Sequence, residues 1–172
     1  QTERSIINIK STDGLIDLSP CIGIYQEAVF FDNYQIDAAI KLKVLLNPEL
    51  KHLYTKKVQE SCLDQKILFL VSLETKQKRY RTQVITPFVN EEQRTLIIER
   101  LKTRLNQTEK AQVECRIDFG GRGNGEVKFS ARGFADAVKD NIVYELKFVS
   151  ELTHEHFLQC ACYMAAMNLQ KG

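Results

Sequence analysis

No apolar run in this chain approaches the ~20 residues that a membrane-spanning helix needs, and no positively charged opening followed by a long apolar stretch marks a secretory signal. Its five cysteines are odd in number and form no pair of Cys-x-x-Cys motifs, so neither a zinc ribbon nor a disulfide framework is expected. A reducing intracellular compartment, cytoplasmic or nuclear, follows as the expectation. Charge of one sign is also missing: 24 Lys and Arg stand against 22 Asp and Glu, a net charge of +2 that gives the whole chain no strong pull on a polyanion.

What remains is 172 residues of mixed composition, enough for one domain with a substantial core. Residues 1–172 are read as that single domain, a module or fragment of a larger protein. The order of elements is α+β. Residues 33–60 carry Ile36, Ala39, Ile40 and Val44 at near-helical spacing and break at Asn47-Pro48, which predicts one or two helices. KILFLVSLE (66–74) and KRYRTQVITPF (78–88) read as a β-hairpin. Residues 91–105 predict a helix with Asn90 as N-cap, Glu91 and Glu92 in the first turn and Leu96, Ile97, Leu101 and Leu105 as its apolar stripe. A strand over 112–119 then turns through GGRGNG (120–125), which enters a strand rather than a helix and so reads as a turn rather than a phosphate cradle.

The chemistry is concentrated in GFADAVKDNIVYELKF (133–148) and THEHFLQCACY (153–163). Strands are expected over 127–138 and 142–149. On the second, Val143, Glu145 and Lys147 share one face, and Ile142, Tyr144, Leu146 and Phe148 share the other, the core face. A two-residue loop of Asp140-Asn141, both tolerant of positive φ, pairs Lys139 with Ile142 and therefore Asp136 with Glu145. Facing carboxylates repel, so a cation between them is the natural explanation. Two carboxylates can hold a divalent ion, and Lys147 beside them can orient an attacking water. Thr153 is placed to cap a last helix, on which Gln159 and Tyr163, four residues apart, share a face.

Asp, then Glu-x-Lys, then Gln-x-x-x-Tyr in this order resembles the RecB-like branch of the PD-(D/E)xK nuclease superfamily, over the last third of the chain. The resemblance implies a restriction-endonuclease-like core, a central mixed and largely antiparallel sheet flanked by helices. It implies catalytic roles for Asp136, Glu145, Lys147, Gln159 and Tyr163, and a Mg2+ or Mn2+ ion on Asp136, Glu145 and the backbone carbonyl of Leu146. Glu114, in VECRIDF, matches an acidic residue that some relatives place on the preceding strand, and a solvent-facing strand residue is the equal alternative. Many relatives also place a metal-binding His on an earlier helix; here His52, in the basic PELKHLYTKK, reads instead as an exposed helix residue. Ala135 precedes the motif Asp with no proline before it, a departure at a loosely held position. The implied activity is hydrolysis of DNA, single strands or ends, with RNA as an open alternative and a helicase as the implied partner. The competing reading is a non-catalytic module of the same fold that docks a nucleic acid or a protein.

The remaining expectations concern the chain's other segments. SIINI (5–9) and GLIDL (14–18) are candidates for an additional N-terminal strand. Between residues 41 and 81 ten Lys or Arg stand against four Asp or Glu. Lys78, Arg79, Tyr80 and Arg81 interleave an aromatic with cations, as strand-binding surfaces do, although a solvated hairpin has the same appearance.

Overall fold

The computed structural model describes residues 16–120, 127–149 and 151–171. The segments 5–9, 14–15 and 121–125, read above as candidate strands and a turn, lie outside them. Ile16 and Leu18 are buried but lead directly into a helix instead of forming a strand.

That helix, α1 (Ser19–Phe30), starts where the Asp17 carboxylate accepts the backbone N–H and the hydroxyl of Ser19, with Pro20 in the first turn where its missing N–H costs nothing. α2 (Ile36–Leu46) ends ahead of Pro48, which opens a 3-10 helix, Pro48–Leu53, followed by the short α3 (Lys56–Gln59). This is the break expected at Asn47-Pro48, and Ile40 and Val44 point inward as their spacing requires. α6 (Glu91–Lys102) carries a full capping box: the Asn90 side chain accepts from the Gln93 N–H while the Gln93 side chain accepts from the Asn90 N–H.

The hairpin expected over 66–88 is instead helical, forming α4 (Leu63–Glu74) and α5 (Arg79–Gln83). Every residue from Ile67 to Leu73 is buried. A helix covered on all sides has no polar face, and so shows no 3.6-residue periodicity to set against its strand-like composition. α1, α4 and α6 meet in one core around Ile22, Tyr25, Leu68, Val71 and Ile97, while α2 packs on α4 through Ile40, Val44, Phe69 and Leu73.

The sheet has the order β1 (Ala111–Gly120), β2 (Val127–Lys139), β3 (Ile142–Tyr144), and its described pairings are all antiparallel. Lys139 pairs with Ile142 across Asp140 and Asn141, whose φ values of 49° and 62° give the primed turn that the sequence calls for. One sheet face carries Ala111, Ala137, Tyr144 and Leu146 onto Phe30, Phe31 and Leu105. The other carries Cys115, Ala135 and Val143 onto Ala166, Tyr163 and Met167 of α7 (His154–Lys171). Ile142, expected on the core face, is 53% exposed because it flanks the turn at the hairpin tip.

Tyr163 of α7 lies against Gly133 of β2. A Cβ there would stand 2.6 Å from Cε1 and 2.8 Å from the hydroxyl oxygen of Tyr163. Gly133→Ala is expected to lower stability by about 1–3 kcal/mol, the usual effect of overpacking, because the Tyr163 ring must shift to admit the methyl group. Thermal unfolding of the variant checks this, and an unchanged melting temperature would show that α7 yields at this point.

Candidate active site

Asp32 and Asn33, just after α1, tie that helix to the segment entering β1. Asp32 N–H donates to the Gln107 carbonyl at 2.9 Å, and the Asn33 side chain donates to the Glu109 carbonyl at 2.7 Å and accepts from Ala111 N–H at 3.0 Å. This clamp places Glu27, one turn before the end of α1, beside the first residues of β1. Gln112 there donates through Nε2 to Glu27 Oε2 at 2.7 Å and to Asp136 Oδ1 at 3.2 Å.

Asp136 and Glu145 meet as the hairpin register predicts, though not as a facing pair on a regular ladder. Backbone pairing ends at Ala137 and Tyr144, and side chains take over from there. Asp136 Oδ2 accepts the Leu146 N–H at 2.7 Å, and Glu145 Oε1 accepts the Asp136 N–H at 3.2 Å. Each carboxylate is thus bonded to backbone on the opposite segment, which satisfies N–H groups that the shortened strand leaves unpaired. Lys147 Nζ lies 3.3 Å from Glu145 Oε2.

Three carboxylates therefore converge in a largely buried space, with Glu27 and Asp136 each 8% exposed and the Glu145 side chain 7%. Burial, then the Asp136 charge, push the Glu27 carboxyl up to about 9, which favours its protonated form. Burial, then Asp136, also raise Glu145, with Lys147 and the Asp136 N–H acting in the opposite direction. Among the described residues no group of three or more Asp, Glu, His or Cys side chains is disposed to hold a metal ion. The donors themselves are hard oxygens, buried with an excess of negative charge. Hard oxygen donors of this kind are the chemistry that divalent cations such as Mg2+ take.

The C-terminal helix packs on the sheet face of Cys115, Ala135 and Val143. Its first turn is closed by Thr153, whose carbonyl accepts from Phe157 N–H while its own N–H donates to His156 Nδ1. Gln159 Nε2 donates to the Tyr163 hydroxyl at 3.3 Å, so these two residues meet as their spacing implies, bonded to each other and not to the carboxylates. The thiol of Cys160, next to Gln159, is raised by burial and then by the Glu145 charge, with Lys147 acting in the opposite direction.

Other candidates lie elsewhere. Glu114 pairs with Arg132 at 3.6 Å, both half exposed, which is the solvent-facing strand alternative rather than a ligand position. Tyr80 is 2% exposed, packed in the α1–α4 core with its hydroxyl on the Asp17 carbonyl, so it offers no stacking surface. Arg79 bonds Gln77, Arg81 lies over the Phe69 ring at 5.8 Å, and Lys78 alone of the four is exposed. On a short helix the cations and the aromatic turn to different sides, whereas a strand would have set Lys78 and Tyr80 on one face. His52 is exposed and bonded to the Glu49 carbonyl.

Glu27 and Gln112 are the site residues that sequence reasoning missed. A signal for Glu27 existed: it is the one charged residue between Asp17 and Asp32, set in the apolar run IGIYQEAVFF. An acidic side chain inside a buried helix needs a partner or a purpose.

No described helix is long and apolar enough to cross a membrane. Comparison with curated proteins gives no match, and neither does comparison with solved structures. A family model described as the PD-(D/E)XK nuclease superfamily matches residues 83–172, more than half of the chain, including Asp136, Glu145, Lys147, Gln159 and Tyr163 but not Glu27. A three-stranded antiparallel sheet between helices, the carboxylate group at the end of its hairpin, and this match lead to one conclusion: the chain belongs to the PD-(D/E)XK nuclease superfamily.

Proposed function

We propose that the chain is a divalent-metal-dependent nuclease domain that hydrolyses phosphodiester bonds of DNA, with single strands or ends as the preferred substrate. The observation that carries this reading is the burial of Glu27, Asp136 and Glu145 together beside Lys147. Three carboxylates beside a single lysine are not kept in such a place for packing. Asp136, Glu145 and the Leu146 carbonyl would hold Mg2+ or Mn2+, with Glu27 as a further carboxylate within the group. A bound cation of this kind polarises the scissile phosphate and lowers the pKa of a coordinated water.

The chain's own residues supply the rest. Lys147, fixed by Glu145, stands where it can orient a water and offset charge developing on the phosphate. Asp136, with an N–H donor on each oxygen, is held in one orientation. Gln159 on α7 would contact substrate, and the exposed lysines of the segment 41–57 would supply sequence-independent phosphate contacts. A helicase as the fused or associated partner rests on the resemblance to the RecB-like branch.

One observation favours the non-catalytic module as a second reading. The carboxylates are already satisfied by backbone N–H groups, an amide and a lysine, so the group is stable without a cation. The deciding experiment is cleavage of labelled single- and double-stranded DNA and RNA by the purified chain with Mg2+, Mn2+ or EDTA. Metal-dependent cleavage of DNA is the expected result. Activity on RNA alone would change the substrate, and binding without cleavage in either metal would establish the module.

A further inference from the structure

Gln112 has φ = 54°, a left-handed conformation that costs a non-glycine residue about 1–2 kcal/mol. It stands opposite Asp136, where the β1–β2 ladder skips a pair between Ala111↔Ala137 and Val113↔Ala135. The sidedness of the sheet changes there as well. Ala135 faces α7, whereas Ala137, two residues on, faces α1 and Leu105. Strain of this kind persists only where the surroundings impose it, and it gathers at functional positions.

The consequence of the left-handed turn is where the carboxamide goes. Both of its contacts, Glu27 Oε2 and Asp136 Oδ1, are carboxylate oxygens, so the nitrogen must be the atom that faces them. With the Leu146 N–H on Oδ2, each oxygen of Asp136 accepts a fixed donor. No other side chain does this as well: Asn is one methylene short, Glu adds another negative charge, and Lys would place its own cation in the group.

We propose that Gln112 is a positioning residue for the cation site, its carboxamide tying Asp136 to Glu27 so that the Asp136 carboxylate is presented in a single orientation. This rests on the cation reading of Asp136 and Glu145 given above. Hydrogen-bond partners of ligating carboxylates orient them for the metal, and their loss commonly weakens binding 10–100-fold.

Gln112→Gly and Gln112→Asn both suit positive φ, yet the first lacks the carboxamide and the second cannot span the two carboxylates. The measurements are Mn2+ affinity by calorimetry and melting temperature in EDTA, on the full chain. Gln112→Gly is expected to keep or raise the melting temperature, since glycine relieves the strain, while Mn2+ affinity falls about 10–100-fold in both variants. Affinity within twofold of wild type in both variants, whatever their melting temperatures, marks a structural residue only and overturns the proposal. A wild type that shows no Mn2+ saturation at millimolar concentration overturns the cation reading itself and this proposal with it, so the two failures are told apart.

Discussion

Asp136→Ala, Glu145→Ala and Lys147→Ala are each expected to keep the fold and to lose cleavage by about a thousandfold or more, in line with removal of a preorganised charge from a dry site. The fold should survive for a specific reason. Asp136→Ala and Glu145→Ala each remove one of several like charges held together, and this relief opposes the loss of the bonds to the Leu146 and Asp136 N–H groups. Lys147→Ala works the other way, because it leaves Glu145 without its 3.3 Å partner and so deepens the repulsion with Asp136. It should therefore be the least stable of the three, most visibly at high pH where both carboxylates are charged. Circular dichroism and a metal-dependent cleavage assay on the same preparations check both halves of this expectation. Undiminished cleavage in any one variant would remove that residue from the mechanism.

The hairpin that holds these residues was legible because every constraint on it is local. The Asp140-Asn141 turn fixes the register and the register fixes which side chains approach. The same holds for α6, whose Asn90–Gln93 box is written within four residues. Long-range features left weaker traces. Ile67–Leu73 of α4 is buried on every side, so this stretch carries no face to read, and its Ile, Val and Phe content imitates a strand. Tyr80 and its basic neighbours fit a binding surface or a solvated hairpin equally in sequence, and a helix instead turns the ring into the core. Glu27 enters the site from 109 positions before Asp136, carried there by α1 and the clamp from Asn33 to Ala111 and Glu109, and nothing in the motif hairpin announces it. Gln112 became informative only through a backbone angle and two distances, neither of which composition or spacing encodes.

Glu27→Gln is expected to flatten the pH response of the metal-free protein's stability. The folded-state pKa of Glu27 lies near 9 against an ordinary value of 4.5, chiefly through burial and then through Asp136. The native state therefore holds a proton that the unfolded chain releases. For a group raised in this way the stabilising contribution is complete below pH 4.5 and is lost as pH climbs toward 9, with a limiting slope of about 1.4 kcal/mol per pH unit. Glu145, raised in the same direction, adds to the loss. Allowing for relaxation around the group, wild type in EDTA should lose roughly 2 kcal/mol between pH 5 and pH 8, on the order of 5 °C in melting temperature for a chain of this size. The neutral amide introduced by Glu27→Gln would keep the geometry of the protonated acid and the bond partners Gln112 and Asp136, so the variant should lose much less over the same range and melt above wild type at pH 8. Divalent metal should act unequally on the two proteins. Mg2+ or Mn2+ holds the carboxylates ionised and raises the wild-type melting temperature by mass action, whereas the variant, with one fewer anion in the group, should show a smaller rise. Parallel pH profiles for the two proteins in EDTA would mean that Glu27 is ionised in the native state and that its charge is already balanced by something other than a proton.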